Sequence, residues 1–409
     1  MPHTHATILL LLIVLGVLAG VVTGWFWGED MLAVAWLGEL FLNALKMLII
    51  PLIVAAVISG VASLGDIRKL GRIGGITILY FVGTTAVAVV IGLVVVNLIQ
   101  PGVGLDFEVQ SLPEAVAAKR EIGFTDILLS IVSPNLIASA AEMQLLPLIF
   151  FSILLSAALT TLGPVGEHVI GLFNGLNEAL MKVVIWLMYF APVGIFALVA
   201  ARLGKAGGGD AFLAEVSAVG LHVVTVLSGL TIHFLFLVLL MIFVSGRGLG
   251  YLLGLMRALL TAFGTASSSA TLPLTMECAR EQAVDEKAIR FVLPLGSTVN
   301  MNGTALYEAA AAMFIAQAYG IDLGLGAQSL VFITATLAAI GAAGIPEAGL
   351  VTMVIVLTAV GLPLEGLGLL LAVDWFLDRF RTAVNVWGDA TGAAIVHRFL
   401  PKPSSGGTS

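Results

Sequence analysis

The stretch from Leu367 to Val396, LGLLLAVDWFLDRFRTAVNVWGDATGAAIV, carries Asp374, Asp378, Arg379, Arg381 and Asp389 within an otherwise apolar run. At about 1.5 Å per residue a helix of this length crosses a hydrocarbon core of about 30 Å. Charges facing acyl chains would cost roughly 2.5 to 3.5 kcal/mol each, so these must face protein, water or a ligand. Asp374, Asp378, Arg381, Asn385 and Asp389 follow one another at steps of four, three, four and four, which is one stripe of an α-helix, with Thr382 beside it. Two readings follow. The stripe either locks a bundle through internal salt bridges, or it is a row of oxygens and guanidinium groups that holds cations and a zwitterion together. The density of charge, with Asn and Thr on the same face, favours the second.

With 59% hydrophobic residues, 11% charged residues and a mean hydropathy of +1.10, the chain reads as an all-α polytopic membrane protein rather than a water-soluble globule. A net charge of -7 without Lys/Arg runs argues against nucleic acid as a partner. The single cysteine, Cys278, leaves no intrachain disulfide and no thiolate metal cluster. Residues 1–6 hold no Lys or Arg, and the apolar run from Ile8 to Trp27 is followed almost at once by another, so the start reads as a membrane helix rather than a signal peptide. The polar tail, 399–409, reads as disordered.

Apolar spans are expected at 7–27, 34–63 and 74–99, then a broken segment at 127–163 around Pro134 and Pro147, then long spans at 168–203 and 211–244. Arg68, Lys69 and Arg72 place the second link in the cytoplasm, and Arg398 and Lys402 ask for the same of the C-terminus, so both termini are expected inside. From Arg247 onward the pattern changes. Two stretches, 250–282 and 328–362, are interrupted by GTASSSATLP and GAAGIPEAG, and each is followed by one amphipathic span, 288–320 and 367–396. If 250–282 were a single crossing, the C-terminal basic residues would fall outside; hairpins that enter and leave on one side keep them inside. Paired interrupted segments of this kind point to a binding site near the midplane of a secondary transporter.

NMNGTALYEA, 300–309, places Asn300, Asn302 and Gly303 in an apolar helix and weakens it there, freeing carbonyls that, with Asn oxygens, Asn385 and Asp389, suit Na+. The alternative is an Asn pair bridging helices. Ser267, Ser268 and Ser269 at the first hairpin's tip offer hydroxyls and N–H groups to a carboxylate, helped by the positive ends of two half-helices. A nucleophilic serine would need a base, and His222 and His233 belong to no nucleophile motif. Glu308 is open to two readings: a carboxyl that carries H+ through the cycle, or a core Glu paired with Arg379.

SSSATLP, NMNGTALYEA, GIPEAG and DWFLDRFRTAVNVWGD, four motifs in order, with LKMLIIPLI (45–53) in the second span, make the whole chain resemble the dicarboxylate/amino acid:cation symporters, the family of excitatory amino-acid and archaeal aspartate transporters. The resemblance implies eight transmembrane helices plus two re-entrant hairpins, inverted repeats and a homotrimer. It further implies a fixed scaffold (about 7–63 and 127–203) and a transport domain (about 74–99 and 211–398) that slides as an elevator. It assigns substrate to Arg381 (side-chain carboxylate), Asp378 (α-amino group), Ser268 and Ser269 (α-carboxylate), Thr304 and Asn385 (polar atoms), with Ser267, Thr382 and the second tip's Gly344, Ile345 and Pro346 also lining the site. Na+ falls to Asn300, Asn385 and Asp389, and at a deeper site to Asn302, Thr84 and Thr85. Glu308 and Arg379 look like the animal members and imply proton coupling, with K+ counter-transport. Two residues depart from the pattern: Asn302 stands where the family usually has Asp, and Phe81 where Tyr is common, so the deeper sodium site is expected to be weak or absent. Glu347 at the second tip has no account.

The expected function is Na+-coupled, and by the Glu308 reading H+-coupled, symport of aspartate or glutamate; no cofactor is expected beyond the coupling ion. The alternatives are a C4-dicarboxylate:cation symporter, a channel lined by the polar stripe, which could not accumulate substrate against a gradient, and an intramembrane hydrolase. Compact loops and a short tail point to a prokaryotic inner membrane.

Overall fold

Proline and polar residues, more than the ends of apolar runs, decide where the helices of this chain stop. The computed structural model describes residues 3–62, 71–105, 129, 131–142, 144–205, 209–340 and 348–400, and among these all regular structure is helical. In order the helices are α1 (His3–Trp27), α2 (Ala35–Ala62), α3 (Gly71–Ile99), α4 (Leu136–Ala141), α5 (Leu145–Leu159), α6 (Pro164–Met188), α7 (Ala191–Lys205) and α8 (Gly209–Leu240). They continue with α9 (Leu249–Thr265), α10 (Ser268–Glu281), α11 (Glu286–Val299), α12 (Asn302–Ala318), α13 (Leu325–Ile340), α14 (Ala348–Val360) and α15 (Leu367–Phe399). Among the described residues four stretches, Leu11–Phe41, Ile73–Ile99, Pro164–Leu187 and Val216–Ser245, are long and apolar enough to cross a membrane.

The single span expected over 168–203 is instead two helices, α6 and α7, separated at Tyr189–Phe190. Pro192 stands second in α7, a first-turn position where its missing N–H breaks no helix bond. The first hairpin's interruption falls where expected, whereas residues 341–347 of the second lie outside the described residues. α9 ends at Ala266, held at φ +49°, and α10 begins with Ser267 as its N-cap, its hydroxyl accepting from Ala270 N at 3.1 Å. Pro273 lies inside α10 without ending it.

Packing falls into two sets. α1 runs along α7, and α2 packs on α5, α6 and α7; separately, α3, α8, α9, α11 and α12 gather around α15, with α10 on α9 and α11 and α13 and α14 against α12. The sets meet where α15 touches α7 and where α13 and α14 touch α2. At the exposed turn after α10, Arg280 (3.0 Å) and Arg290 (2.7 Å) both donate to Glu286 and hold its carboxyl down to about 2, so this clasp stays ionised throughout the neutral range.

Candidate functional site

The stripe predicted on the last span is realised on α15, where Asp374, Asp378, Arg381, Thr382, Asn385 and Asp389 are all buried. Arg381 sits between two carboxylates: Nη1 lies 2.9 Å from Asp374 Oδ1, and Nη2 donates to Asp378 Oδ1 at 2.9 Å. Its Cζ lies 4.1 Å from the centre of the Tyr307 ring of α12, a cation–π contact in a desolvated place. Two glycines let the neighbours close on it. A Cβ at Gly349, in the first turn of α14, would come within 3.0 Å of Nη1, and one at Gly303 within 2.7 Å of the Arg381 carbonyl oxygen. Arg381 is thus an internal ion-pair centre and also the place where the second hairpin, α12 and α15 converge.

Arg379, two residues earlier, points some 160° away around the helix. It donates to Phe263 O (3.2 Å) and Gly264 O (2.8 Å), carbonyls in the last turn of α9. A helix end frees such carbonyls and a guanidinium satisfies them. Arg379 therefore tethers the first hairpin's tip to α15 and does not pair with Glu308. Glu308 is fully buried on α12, next to Thr352 of α14.

The second cluster forms where NMNG breaks the helix. α11 stops at Val299 and α12 restarts at Asn302, with Asn300 (φ −108°, ψ 60°) and Met301 (φ −90°, ψ 61°) between them. Asn300 Nδ2 donates to Asp389 Oδ1 at 3.0 Å, and Gly303 N donates to Asn385 Oδ1 at 2.7 Å. Asn385 Nδ2 reaches Thr304 Oγ1 at 3.3 Å. From α3, Thr85 donates to Asn302 Oδ1 at 2.7 Å, while Thr84 Oγ1 lies 2.8 Å from Tyr80 O, 3.3 Å from Phe81 O and 3.5 Å from Asn300 Oδ1. Hydroxyls, amide and backbone oxygens and one carboxylate make a hard oxygen donor set that fits Na+; among the described residues no group of three His, Cys, Asp or Glu side chains is placed to hold a metal ion. The Phe81 carbonyl lies 3.3 Å from Thr84 Oγ1, a contact that a Tyr backbone would make as well.

Gly296 leaves the room that Asp389 occupies, since a Cβ there would fall 2.3 Å from Oδ1. Gly296→Ala is expected to raise the Na+ requirement of uptake at least tenfold with unchanged abundance in the membrane, as immunoblotting alongside tracer uptake would register.

At the first tip Ser268 is buried and Ser269 exposed, and Ser267 serves as the helix cap. The tip presents one helix N-terminus, that of α10, and the other begins at Ala348 of α14. Gly344, Ile345, Pro346 and Glu347 lie outside the described residues. Sequence reasoning passed over Tyr80, Tyr251, Gly296 and Gly349. Of these only Tyr80 carried a signal, sitting one turn before Thr84 in the same apolar helix.

Residues 9–399 match the sodium:dicarboxylate symporter family, and the chain belongs to it: it is a membrane symporter, not an enzyme. It is 39% identical to excitatory amino acid transporter 3 of Mus musculus over 95% of this chain and 84% of that protein. It is 40% identical to an excitatory amino acid transporter of Caenorhabditis elegans, over 91% of this chain and 82% of the other, and 40% identical to excitatory amino acid transporter 3 of Homo sapiens, over 89% and 79%.

Proposed function

We propose that this chain is a secondary-active symporter of acidic amino acids, aspartate or glutamate, driven by Na+. One observation carries the choice of substrate: Arg381 is shared by Asp374 and Asp378. For Arg381 to turn to an incoming side-chain carboxylate, Asp378 must give it up. An α-ammonium group replaces the lost positive charge at Asp378. A C4-dicarboxylate brings no positive charge to take the guanidinium's place there. The α-carboxylate would go to Ser268, Ser269 and the N-terminus of α10, with Thr304, Thr382 and Asn385 completing the pocket.

In this reading Asn300, Asn385 and Asp389 bind Na+ beside the substrate, and Thr84, Thr85 and Asn302 form a weakened deeper site. Glu308, buried next to Thr352, is the group that would carry H+, and Arg379 holds the first hairpin against α15. The two packing sets support a scaffold of α1, α2 and α4–α7 and a transport domain of α3 and α8–α15 that moves past it as an elevator. The reading includes eight crossings with two re-entrant hairpins, a homotrimer, cytoplasmic termini and a prokaryotic inner membrane. Labelled L-aspartate and succinate, offered to proteoliposomes with Na+, H+ and K+ gradients imposed one at a time, test it. L-aspartate is expected to accumulate with an inward Na+ gradient and to leak away when that gradient is collapsed. Equal accumulation of succinate, or mere equilibration of aspartate, would reject it.

A further inference from the structure

Two tyrosines outside the binding pocket grip the turn of α15 that carries Asp389. Tyr80, on α3, donates its hydroxyl to Gly388 O at 2.8 Å, and Tyr251, on α9, donates to Ala390 O at 2.7 Å. Both side chains are buried, and both bonds are closed off from solvent. Carbonyl oxygens two residues apart sit about 160° apart around a helix, each directed mainly along its axis, so the two bonds take hold of α15 from two flanks and restrain its rotation at the residue between them. The fit around Tyr80 is close: a Cβ at Gly392 would come within 2.7 Å of Tyr80 Cε1. The fully buried Trp387 packs beside Tyr251, with ring centres 6.3 Å apart. Tyr80 is tied to the cation cluster a second time, because Thr84 donates to its carbonyl at 2.8 Å.

We propose that Tyr80 and Tyr251 are positioning residues for the coupling cation, setting the angle at which Asp389 meets Asn300 and so linking the affinity for Na+ to the seating of α3 and of the first hairpin on α15. This rests on the reading of Asp389 as a Na+ ligand. Neither tyrosine touches the Arg381 pocket in this account, so the two affinities separate. Loss of one hydroxyl removes one helix restraint and leaves the aromatic packing in place, which is why Phe is the informative replacement.

Tyr80→Phe and Tyr251→Phe, made separately and together, are tested in the full-length protein by two measurements: Na+ half-saturation of L-aspartate uptake in proteoliposomes, and the rise in melting temperature that NaCl causes in detergent. Each single change is expected to raise the Na+ half-saturation about three- to tenfold and to shift the NaCl-induced stabilisation to correspondingly higher concentration. The aspartate KM at saturating Na+ and the melting temperature without Na+ are expected to hold, and the double change to exceed either single one. Tyr189→Phe, at an exposed tyrosine, is the matched control. Half-saturation within twofold of the parent in both single variants, with Asp389→Asn still abolishing the Na+ response, overturns the proposal alone. So does a lowered Na+-free melting temperature with no shift in Na+ half-saturation, which would mark the tyrosines as packing residues. An unaltered Na+ response in Asp389→Asn overturns the proposal together with the reading beneath it. The tyrosines lie on different helices, so a variant that fails to reach the membrane leaves the other to decide.

Discussion

Asp378→Asn is expected to lower L-aspartate uptake about a hundredfold while succinate uptake rises, because the carboxylate that disfavours a ligand without an ammonium group is gone. Asn keeps the shape of the side chain and an oxygen for Arg381, and Asp374 remains 2.9 Å from the guanidinium, so the buried cation is not abandoned. What disappears is the charge that an α-ammonium group would meet. A hydrogen bond between charged partners in a dry site is worth about 1.5 to 3 kcal/mol, which translates into roughly ten- to hundredfold in binding, and the ion pair adds to it. Succinate has no ammonium group to lose. Competition of unlabelled aspartate and succinate against the same tracer, with variant and parent at equal membrane abundance, reads the ratio directly. A parallel fall for both substrates would mean that Asp378 serves only to hold Arg381.

Asn302→Asp is expected to steepen the Na+ dependence of uptake, raising the Hill slope by about one. In the parent the deeper group of Asn302, Thr84 and Thr85 has no formal negative charge, and Asn302 places a buried amide nitrogen where no acceptor meets it among the described residues. A Cβ at Gly388 would fall 2.9 Å from Asn302 Nδ2 and 3.2 Å from Asn300 Nδ2, so two amide donors crowd one spot. Donors repel a cation. A carboxylate at 302 keeps the oxygen that Thr85 already meets at 2.7 Å, exchanges the unpaired NH2 for a second oxygen and adds a charge that a further Na+ must neutralise. Without that ion the buried carboxylate costs several kcal/mol, so the variant's melting temperature in K+ medium should drop and recover with NaCl. An identical Hill slope in parent and variant would show that the cluster counts ions by some other means.

The stripe on α15 was legible because a helix repeats every 3.6 residues and lipid forbids its charges. The break at Asn300–Met301 was legible because Asn and Gly are poor helix formers. Other features were not. The stop between α6 and α7 is hidden in continuous apolar sequence, and Pro192 shows only as a permissible first-turn residue. Arg379 looked like a partner for a carboxylate because charges invite pairing, yet its partners are the carbonyls of Phe263 and Gly264, which any residue would provide. Tyr251 went unmarked and Tyr80 showed only in its place one turn before Thr84, since a hydroxyl that seeks a backbone oxygen leaves no mark in the pattern of residue types. At Arg381 the structure shows the salt bridges to Asp374 and Asp378, and the ligand pocket belongs to the proposed function.

The interruption between α11 and α12 bears on how the protein is made. Helices of 14 and 17 residues are about 21 and 25 Å long, and neither alone spans the hydrocarbon. The groups that satisfy Asn300 and Gly303 lie 89 and 82 residues further along the chain. At a ribosomal pace of about 5 to 20 residues per second, those amides wait roughly 4 to 18 seconds for their partners. During that interval the nascent segment has to shelter against α3 or the insertion machinery, and a message truncated before α15 would yield a product marked for degradation rather than a smaller carrier.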